Sequence, residues 1–479
     1  MQKSKNHLNN IFPDFNTYKS TPSSYSCVEL SLRIDNVNSN FIDLFNKYSG
    51  KESSFIMQIT TPGSSIPKKT FMSIDSLEVI STRNKNPIPI LRSALNKHSQ
   101  EVYSSDSRSD LGIFGYISYE CYKYFESIEL KNDPINCPES FFIIPKTMFT
   151  FDHQNKSVII SHIIPANLDE NNFELEIKKI LLFCKKIKHK NEPLKYKNII
   201  SKFLAKVEIQ KVKKDKYLKN IYETKKLIKD GELIQCVLSQ RFEKHGSIDS
   251  NVLLKYLSEE YPSEYVFQLI GEGFDITGSS PEMFLKVQDK KATIRPVAGT
   301  IGIDSDSDAQ ELTNTLKKSK KDKAEHIMLV DLARNDLGRV SKKGSVTVEK
   351  LMNIEKYKNV LHMVSEVIGQ ISDEFDSLDA FSSTFPIGTL VGAPKIRAAK
   401  LISELELEGR GPYCGAIGWF STTGDLETST IIRTAIKKDK KVSFNAGGGI
   451  VYDSVPDVEY LETLYKIKAF KNINYDNTN

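Results

Sequence analysis

Two pairs of acidic residues, each spaced three positions apart, constrain the fold of this chain more than any other feature of its sequence. Asp322 and Glu325 lie in KKDKAEHIMLVDLARNDLGR, and Glu459 and Glu462 lie in PDVEYLETLYKIKAF. Both stretches have helical periodicity, so each pair lies on one helix face. Carboxylates that share a cavity repel one another strongly. If the two helices meet, we expect a hard divalent cation between them, and a site with few protein ligands favours Mg²⁺.

Strands outnumber those of a strictly alternating β–α–β chain, so the sequence predicts an α+β fold with antiparallel sheets. Strands are expected at Val28–Leu32, Phe55–Ile59, Ser157–Ile164, Leu233–Phe242, Val266–Ile270, Phe284–Gln288, Lys291–Arg295, Cys414–Phe420 and Val442–Ala446. Helices are expected at Asn172–Ile187, Asp322–Asn335, Asn359–Val364, Pro394–Leu405 and Val458–Ala469, with a further helix capped by Asp215 and terminated by Gly231. A charged linker at Lys188–Lys202 divides the chain into an N-terminal region, 1–190, and a C-terminal region, 205–470.

The strand Leu233–Phe242 has two faces of different character. Cys236 and Leu238 lie on the apolar face with Ile234, whereas Gln235, Ser239 and Arg241 share the other. That polar face is expected to meet water or to line a cleft.

A glycine run, 446–450, follows a predicted strand and forms a candidate backbone cradle for an anion. Arg433 precedes it. If 431–436 and 442–446 form a hairpin, the guanidinium approaches the glycine turn and can bind a carboxylate through its planar fork. The run lacks the spacing of nucleotide-binding loops, so a small anion is expected instead.

The charge distribution keeps a different class of function open. Of 479 residues, 66 are basic and 61 acidic, and lysine is concentrated between Lys178 and Lys229. A basic nucleic-acid-binding protein is therefore an alternative. Lysine with almost no interleaved arginine or aromatic residues favours a solvated helical surface and no nucleic-acid partner.

Cysteine usage and hydropathy predict a cytoplasmic location without membrane contact. The six cysteines form no CxxC pair, no secretory segment stands at the N-terminus, and no apolar run is long enough for a bilayer.

Taken together, these residues resemble the chorismate-utilising enzymes, and most closely the large, ammonia-using subunit of anthranilate synthase. The resemblance covers nearly all of 215–470 and rests on the runs GELIQCVLSQRFE, GSSPEMFLKV, IRPVAGT, AEHIMLVDLARNDLGR, FPIGTLVGAPKIRA, GPYCGAIGWF, STIIRTAI and AGGGIVYDSVPDVEYLETLYK. It implies two antiparallel sheets packed in a sandwich flanked by helices, with the active site in the cleft between them.

The resemblance also implies roles for individual residues. Glu325 and Glu462 would bind the Mg²⁺ that holds the ring carboxylate of chorismate, with Asp322 and Glu459 as outer partners. The enolpyruvyl carboxylate would be held by Tyr413, Arg433, Lys466 and the amides of Gly447 and Gly449. The substrate would also contact Ala298, Gly299 and Thr300, and the departing 4-hydroxyl would be surrounded by Glu282, His362 and Thr389.

Two positions imply which nucleophile the site uses. Relatives that add water carry a lysine base where this chain has Gln235, and an amide cannot take up a proton. Relatives that make 4-amino-4-deoxychorismate typically read PIKGT, with a nucleophilic lysine, where this chain has Ala298. The resemblance therefore implies amination at C2 and elimination of pyruvate, which gives anthranilate.

The cysteines lack the context of a glutaminase nucleophile, so the resemblance implies a separate glutamine amidotransferase subunit and a hetero-oligomer. Same-family alternatives are an aminodeoxychorismate synthase and a 2-amino-2-deoxyisochorismate synthase. The resemblance also implies a tryptophan-feedback site at Phe55–Ile59 and Tyr261–Phe267, but the usual serine and asparagine are replaced by Ile59 and Tyr261. Weak or absent inhibition by tryptophan is therefore expected.

Overall fold

The computed structural model describes residues 11–471, except 50–52, 62–63, 65, 105–110, 189–193, 206–207, 247, 304–308 and 357–359. Within these residues the chain forms two large β-sheets and a set of flanking helices. Strands are numbered β1–β24 and helices α1–α12 in chain order. The helices are α1 Phe15–Lys19, α2 Phe41–Tyr48, α3 Pro87–Glu101, α4 Glu170–Lys188, α5 Lys197–Leu204, α6 Lys214–Lys229, α7 Ser250–Glu260, α8 Ala309–Lys318, α9 Lys320–Gly338, α10 Ser377–Thr384, α11 Lys395–Leu405 and α12 Pro456–Lys466.

The first sheet contains fourteen described strands, and all its pairings are antiparallel except the short pairing of β2 with β6. Its strands are β1 Ile11–Phe12, β2 Cys27–Ile34, β3 Ser54–Thr60, β4 Pro67–Ser73, β6 Val102–Tyr103, β9 Thr147–Asp152, β10 Ser157–Pro165, β11 Glu208–Gln210, β12 Gln235–His245, β13 Tyr265–Gly271, β14 Phe274–Ser280, β20 Gly392–Ala393, β23 Thr434–Lys438 and β24 Lys441–Ile450. The order along its main path is β1-β2-β10-β9-β4-β3-β13-β14-β23-β24-β12-β11.

The second sheet contains ten described strands, all antiparallel. They are β5 Ser76–Thr82, β7 Gly112–Ile117, β8 Ser140–Pro145, β15 Met283–Gln288, β16 Lys291–Ile294, β17 Val297–Gly302, β18 Thr347–Lys356, β19 Val360–Gln370, β21 Ala416–Ser421 and β22 Leu426–Thr430. The main path runs β17-β19-β16-β15-β22-β21-β7-β8-β5. The predicted α+β fold with two antiparallel sheets is confirmed.

Aromatic side chains join the two sheets face to face. Phe55 of the first sheet stacks on Phe114 of the second with ring centroids 4.0 Å apart, and Phe71 stacks on Trp419 at 5.4 Å. These rings belong to one buried cluster that both sheets supply. Because large rings bury much apolar area and pack in preferred geometries, this cluster holds the sandwich together.

Both sheets combine strands from the beginning and the end of the chain. β3 pairs with β13 in the first sheet, and β7 pairs with β21 in the second. The strands upstream of 190 thus share their hydrogen-bond ladders with strands of the 205–470 region. The proposed regions 1–190 and 205–470 are therefore segments of the sequence, and each of the two sheets contains strands from both.

Some local predictions are wrong for identifiable reasons. The predicted helix Asn359–Val364 is wrong: residues 360–364 lie in strand β19, where Leu361, Met363 and Val367 are buried at alternate positions, and Asn359 lies outside the described residues. A short apolar run is compatible with both helical and strand periodicity. Here the segment forms a strand because it pairs with β17 and β18. Lys213, not Asp215, occupies the N-cap of α6, and Asp215 lies in the first turn.

Other predictions on this part of the chain hold with small shifts. Gly231 has a φ of 82° just after α6, as expected of a helix terminator. Cys236 and Leu238 are buried, whereas Ile234 precedes the strand and is 59% exposed. Arg241, on the polar face, meets neither water nor a cleft. It is buried and contacts Asp133 and Glu408.

The described lysines between 178 and 229 lie mainly on the surface helices α4, α5 and α6. Several are paired with carboxylates: Lys178 with Glu174, Lys179 with Glu176, Lys214 with Asp457 and Lys219 with Glu223. This is the solvated helical surface that the sequence favours. Among the described helices, none is both long and apolar enough to cross a membrane.

Candidate active site

The neighbouring strands β12 and β24 bring Gln235 against the glycine run. A Cβ atom on Gly449 would lie 2.6 Å from Gln235 Nε2, and one on Gly447 would lie 3.1 Å from the Tyr413 hydroxyl. Any larger residue at these positions would intrude on Gln235 and Tyr413. Glycine is therefore required here for close approach of the Gln235 and Tyr413 side chains to the backbone of the run.

One carboxylate fixes the orientation of the Gln235 amide. Nε2 of Gln235 donates a 2.7 Å hydrogen bond to Oε1 of Glu325, and the Gln235 side chain is buried. Among the described residues, its Oε1 has no hydrogen-bond partner. Because the amide nitrogen is already engaged by Glu325, Gln235 presents an unpaired acceptor.

The two acidic pairs lie on α9 and α12, the two helices in which they were predicted. Burial raises the pKa of Glu325, and the nearby Asp322 and Glu462 carboxylates raise it further. Burial likewise raises the pKa of Glu459, with a contribution from Glu462. The helices therefore meet closely enough for their carboxylates to repel one another.

This oxygen-only donor set fits Mg²⁺. Among the described residues, no three His, Cys, Asp or Glu side chains are grouped tightly enough to hold a metal unaided. Proteins commonly bind Mg²⁺ through one or two carboxylates, with water and substrate oxygens completing the octahedron. Glu325 and Glu462 meet that requirement, and a cation between them would offset the repulsion that raises the pKa of Glu325.

Lys466 and Arg433 supply positive charge beside the glycine run. Lys466 Nζ lies 2.7 Å from Glu462 Oε1 and donates a 2.8 Å hydrogen bond to the Gly447 carbonyl. The predicted hairpin is present as β23 and β24, and Arg433 directly precedes it. Burial lowers the pKa of Arg433, and no described carboxylate lies within ion-pair distance of its guanidinium. A half-buried cation without such a partner is suited to an anionic ligand.

Glu282, which is buried, forms a hydrogen-bonded pair with the half-buried Thr389. Thr389 Oγ1 donates to Glu282 Oε1 at 2.6 Å. Burial raises the pKa of Glu282 to about 7, against the opposing effects of the Thr389 hydrogen bond and of Lys466 and Arg433. A carboxyl with this pKa is substantially protonated near neutral pH, so it can donate a proton.

His362 lies on β19, opposite Thr300 of β17 in the ladder. Burial, with a smaller contribution from the Arg433 charge, lowers the pKa of His362 to about 4. The imidazole is therefore neutral near pH 7. Of the two titratable groups assigned to the 4-hydroxyl, Glu282 is the stronger candidate for proton donor.

The segment Ala298–Gly299–Thr300 borders helix α9. Ala298 is buried and pairs with Met363 across the ladder. Gly299 has a φ of 69°, and a Cβ atom on it would lie 3.3 Å from Cβ of Asp322. The strand therefore reaches α9 next to an acidic residue, while the side chain of Thr300 lies outside the described part of the structure.

A buried ion pair beneath the site was not predicted. Arg410 is 1% exposed, contacts both carboxylate oxygens of Glu406, and donates to the carbonyls of Leu390 and Val237. Leu390 follows Thr389, and Val237 lies on the strand that begins at Gln235. In sequence, an Arg and a Glu four residues apart resemble an ordinary surface pair. Their burial depends on tertiary contacts that no local spacing records.

Comparison with known proteins identifies the family. A family model described as chorismate binding enzyme matches residues 53–472. The chain belongs to this family. Anthranilate synthase component 1 of Acetivibrio thermocellus is 32% identical over 482 residues, covering 96% of this chain and 97% of its own. The protein of that name from Saccharomyces cerevisiae is 35% identical over 434 residues, covering 88% of this chain and 85% of its own.

A solved structure extends the similarity to three dimensions. The crystal structure of anthranilate synthase component I from Streptococcus pneumoniae matches with a TM-score of 0.75 at 30% identity, covering 85% of this chain and 92% of that chain. The resemblance to anthranilate synthase large subunits is confirmed, and so is the fold that it implies. The chain is therefore an enzyme of the chorismate-binding family.

Proposed function

We propose that this chorismate-binding enzyme is the large subunit of an Mg²⁺-dependent anthranilate synthase. It converts chorismate and ammonia into anthranilate, pyruvate and water, the first step of tryptophan biosynthesis. The observation that carries the proposal is the state of Gln235, whose amide nitrogen is bound to Glu325 and whose oxygen is an unpaired acceptor. The roles of the remaining site residues are those that the family resemblance implies.

The Gln235 amide favours ammonia over water as the nucleophile. Water must lose a proton to attack, and an amide cannot act as the base. Ammonia is nucleophilic without deprotonation, and its N–H groups can donate to Oε1 of Gln235. Because Nε2 of Gln235 is already bonded to Glu325, the acceptor oxygen is held in a defined direction. Gln235 therefore orients ammonia but does not activate water.

Two groups of residues hold the two carboxylates of chorismate. Glu325 and Glu462 would bind Mg²⁺, supported from outside by Asp322 and Glu459. The ion would supply positive charge to the ring carboxylate and so favour electron withdrawal from the ring. The enolpyruvyl carboxylate would be bound by the hydrogen-bond donors that border the glycine run, namely Arg433, Lys466, the Tyr413 hydroxyl and the amides of Gly447 and Gly449.

Glu282 donates the proton that allows the 4-hydroxyl to leave. As ammonia bonds to C2, both ring double bonds shift, C1=C2 to C1=C6 and C5=C6 to C4=C5, and the C4–O bond breaks, so the oxygen must depart as water. The raised pKa of Glu282, about 7, supports this role, and Thr389 and neutral His362 orient the acid and the hydroxyl. Loss of the C2 proton and elimination of pyruvate from C3 then produce the aromatic ring.

The absence of a nucleophile at Ala298 disfavours a covalent route to 4-amino-4-deoxychorismate. A synthase that stops at 2-amino-2-deoxyisochorismate uses the same first step and is the second candidate. The names of the relatives, component 1, favour release of anthranilate and a separate partner. We assign to that partner, a cytoplasmic glutamine amidotransferase, the supply of ammonia.

Product identification tests the proposal. Purified protein is incubated with chorismate, Mg²⁺ and an ammonium salt, without glutamine or a partner, and the products are analysed by fluorescence and mass spectrometry. Anthranilate and pyruvate in equal amounts are expected. Accumulation of 2-amino-2-deoxyisochorismate would establish the second candidate instead, and isochorismate or salicylate in the absence of ammonia would refute the role of Gln235.

A further inference from the structure

The part of α9 that carries Asp322 and Glu325 has few buried side chains. Between 320 and 328 only His326 is buried, whereas the apolar anchors Leu329, Val330, Ala333 and Leu337 lie further along the helix. Apart from the bond of Glu325 to Gln235, the position of this end of the helix therefore depends on what His326 contacts. That contact is polar, because Nε2 of His326 lies 2.6 Å from Oγ of Ser365.

Ser365 connects several segments around the site. It lies on β19, three residues after His362, and its backbone N–H donates to the carbonyl of Pro296 at 3.2 Å. Pro296 directly precedes β17, the strand of Ala298 and Gly299. The Ser365 hydroxyl accepts a 2.9 Å hydrogen bond from the backbone N–H of Met352, in β18. The same residue thus contacts β17, β18 and α9.

Two hydrogen bonds meet at the Ser365 hydroxyl. The Met352 N–H can only donate, so Ser365 Oγ is its acceptor. The second bond joins Oγ to Nε2 of His326, and its direction follows the tautomer of the ring. A buried serine hydroxyl that is bonded to two elements has little rotational freedom, so it can hold the histidine in one orientation.

We propose that His326 and Ser365 are a positioning pair that holds the metal-binding end of α9 in register with the strands of the substrate cleft. This inference rests on the proposed function, in which Glu325 binds Mg²⁺. His326 follows Glu325 directly, so the bond to Ser365 limits rotation and translation of the helix at the carboxylate itself. Neither residue touches substrate or metal, and each acts through Glu325.

The consequence for metal binding follows from preorganisation. The hydrogen bonds that orient metal ligands are worth about 10- to 100-fold in affinity when they are removed. Without the bond between His326 and Ser365, the end of α9 gains freedom, and binding must restrict that freedom again. The core of the helix, from Leu329 onward, stays packed. Removal of the bond should therefore weaken metal binding more than it destabilises the protein.

The test measures metal binding directly. Mn²⁺, which is visible by electron paramagnetic resonance, replaces Mg²⁺, and chorismate is present without ammonia so that no turnover occurs. Ser365→Ala and His326→Leu each remove the bond and should weaken Mn²⁺ binding about tenfold or more. His326→Gln should retain binding close to that of the unchanged protein, because the amide oxygen can accept from the Ser365 hydroxyl.

Ser383→Ala serves as the matched control. Ser383 is also a buried serine, but its hydroxyl donates to Ala380 within α10, away from α9. It should leave Mn²⁺ binding unchanged. Ser365→Ala protein that folds normally by circular dichroism and binds Mn²⁺ like the control would overturn the proposal, as would His326→Gln behaving like His326→Leu. If His326→Leu does not fold, Ser365→Ala decides.

The experiment also separates this proposal from the function on which it rests. Unchanged protein that binds no Mn²⁺ in the presence of chorismate would overturn the metal assignment and the positioning pair together. Tight binding by the unchanged protein and by Ser365→Ala would overturn the positioning pair alone. In steady-state assays, Ser365→Ala should raise the Mg²⁺ concentration needed for half-maximal rate, while the KM for ammonia stays constant.

Discussion

The two ends of the proposed site are built in different ways. At the leaving-group end, formed by Glu282, Thr389 and His362, the two titratable groups are 5% and 4% exposed, and Thr389 already bonds to Glu282. At the metal end, formed by Asp322, Glu325, Glu459 and Glu462, the Glu462 side chain is 45% exposed and the carboxylates repel one another. The first end is already joined by a hydrogen bond within the protein, whereas in the proposed function the second would be completed by Mg²⁺.

This difference shows how burial can serve opposite purposes. Burial raises the pKa of Glu282 and of Glu325. At Glu282 the result is a proton held for donation. At Glu325 the neighbouring carboxylates add to the shift, and a bound Mg²⁺ would reverse it by favouring the charged form. In the proposed function, the same physical effect would therefore favour an acid at one end and a carboxylate that binds a cation at the other.

The largest effect is expected at the metal end. Glu325→Gln or Glu462→Gln should lower kcat/KM for chorismate by about 10³-fold or more, since metal charge stabilisation is worth several kcal/mol and each 1.4 kcal/mol is tenfold. The loss should be measured by anthranilate fluorescence across a range of Mg²⁺ concentrations. Glu349→Gln, at an exposed ion pair with Lys291, is the control. Near-normal activity of either variant at low Mg²⁺ would contradict the assignment.

A smaller loss, with a characteristic pH dependence, is expected at the leaving-group end. Glu282→Gln removes the acid and should lower kcat on the order of 10²- to 10³-fold. In the unchanged protein, kcat/KM should fall as pH rises through about 7, because the protonated form of Glu282 is lost there.

Thr389→Val sharpens this test. The Thr389 hydroxyl donates to the Glu282 carboxylate and so lowers the Glu282 pKa. Its removal should raise that pKa and move the alkaline limb of the profile to higher pH. A limb that stays in place would show that another group controls the profile.

The nucleophile position lies between the two ends, and a moderate effect is expected there. Gln235→Leu removes the hydrogen bond to Glu325 and the acceptor for ammonia, which should reduce ammonia-dependent kcat/KM about tenfold or more, as for other hydrogen bonds to charged groups. Gln235→Lys should lower amination and introduce some addition of water. Unmodified enzyme that makes substantial isochorismate would contradict the role of Gln235.

The sequence predicted most of the elements and the main contacts between them. The α+β plan, the hairpin that follows Arg433 and the two acidic helices came from periodicity and turn residues. The resemblance supplied the roles, and hydrogen bonds now join Gln235 to Glu325 and Thr389 to Glu282. Local patterns did not reveal that His362 lies in a strand, because six residues fit either periodicity.

Nor could the sequence predict the buried supports of the site. Arg410 and Ser365 each connect segments far apart in the chain, and neither stands in a distinctive spacing. Their roles follow from which elements the fold brings together. The pattern of a single sequence indicates which face of a helix or strand is apolar and which periodicity a segment has. It gives little information about which polar side chain will be buried between three elements of the fold.

The smallest effect, no response at all, is expected for tryptophan. The two segments that would form the feedback site are adjacent, since Ile59 lies opposite Tyr265 across β3 and β13. Ile59 is buried in the core between the sheets and offers no hydrogen bond. Glu264 accepts two hydrogen bonds from Arg295 Nη1, at 2.9 and 3.0 Å, while Arg295 Nη2 donates to Glu355 at 2.6 Å.

A bound amino acid would have to pair its ammonium and carboxylate with these groups, and buried charges separated from their partners cost several kcal/mol. Because Arg295 is already shared by two carboxylates, we expect no micromolar binding of tryptophan by calorimetry and no change in rate. Ile59→Ser, which restores the hydroxyl of related enzymes, should leave both results unchanged while the ion cluster persists. Micromolar binding of tryptophan to the unchanged protein, in competition with chorismate, would contradict this prediction. It would show that the Glu264–Arg295 ion pair opens readily to accept a ligand, as the carboxylates of the metal end are proposed to accept a cation.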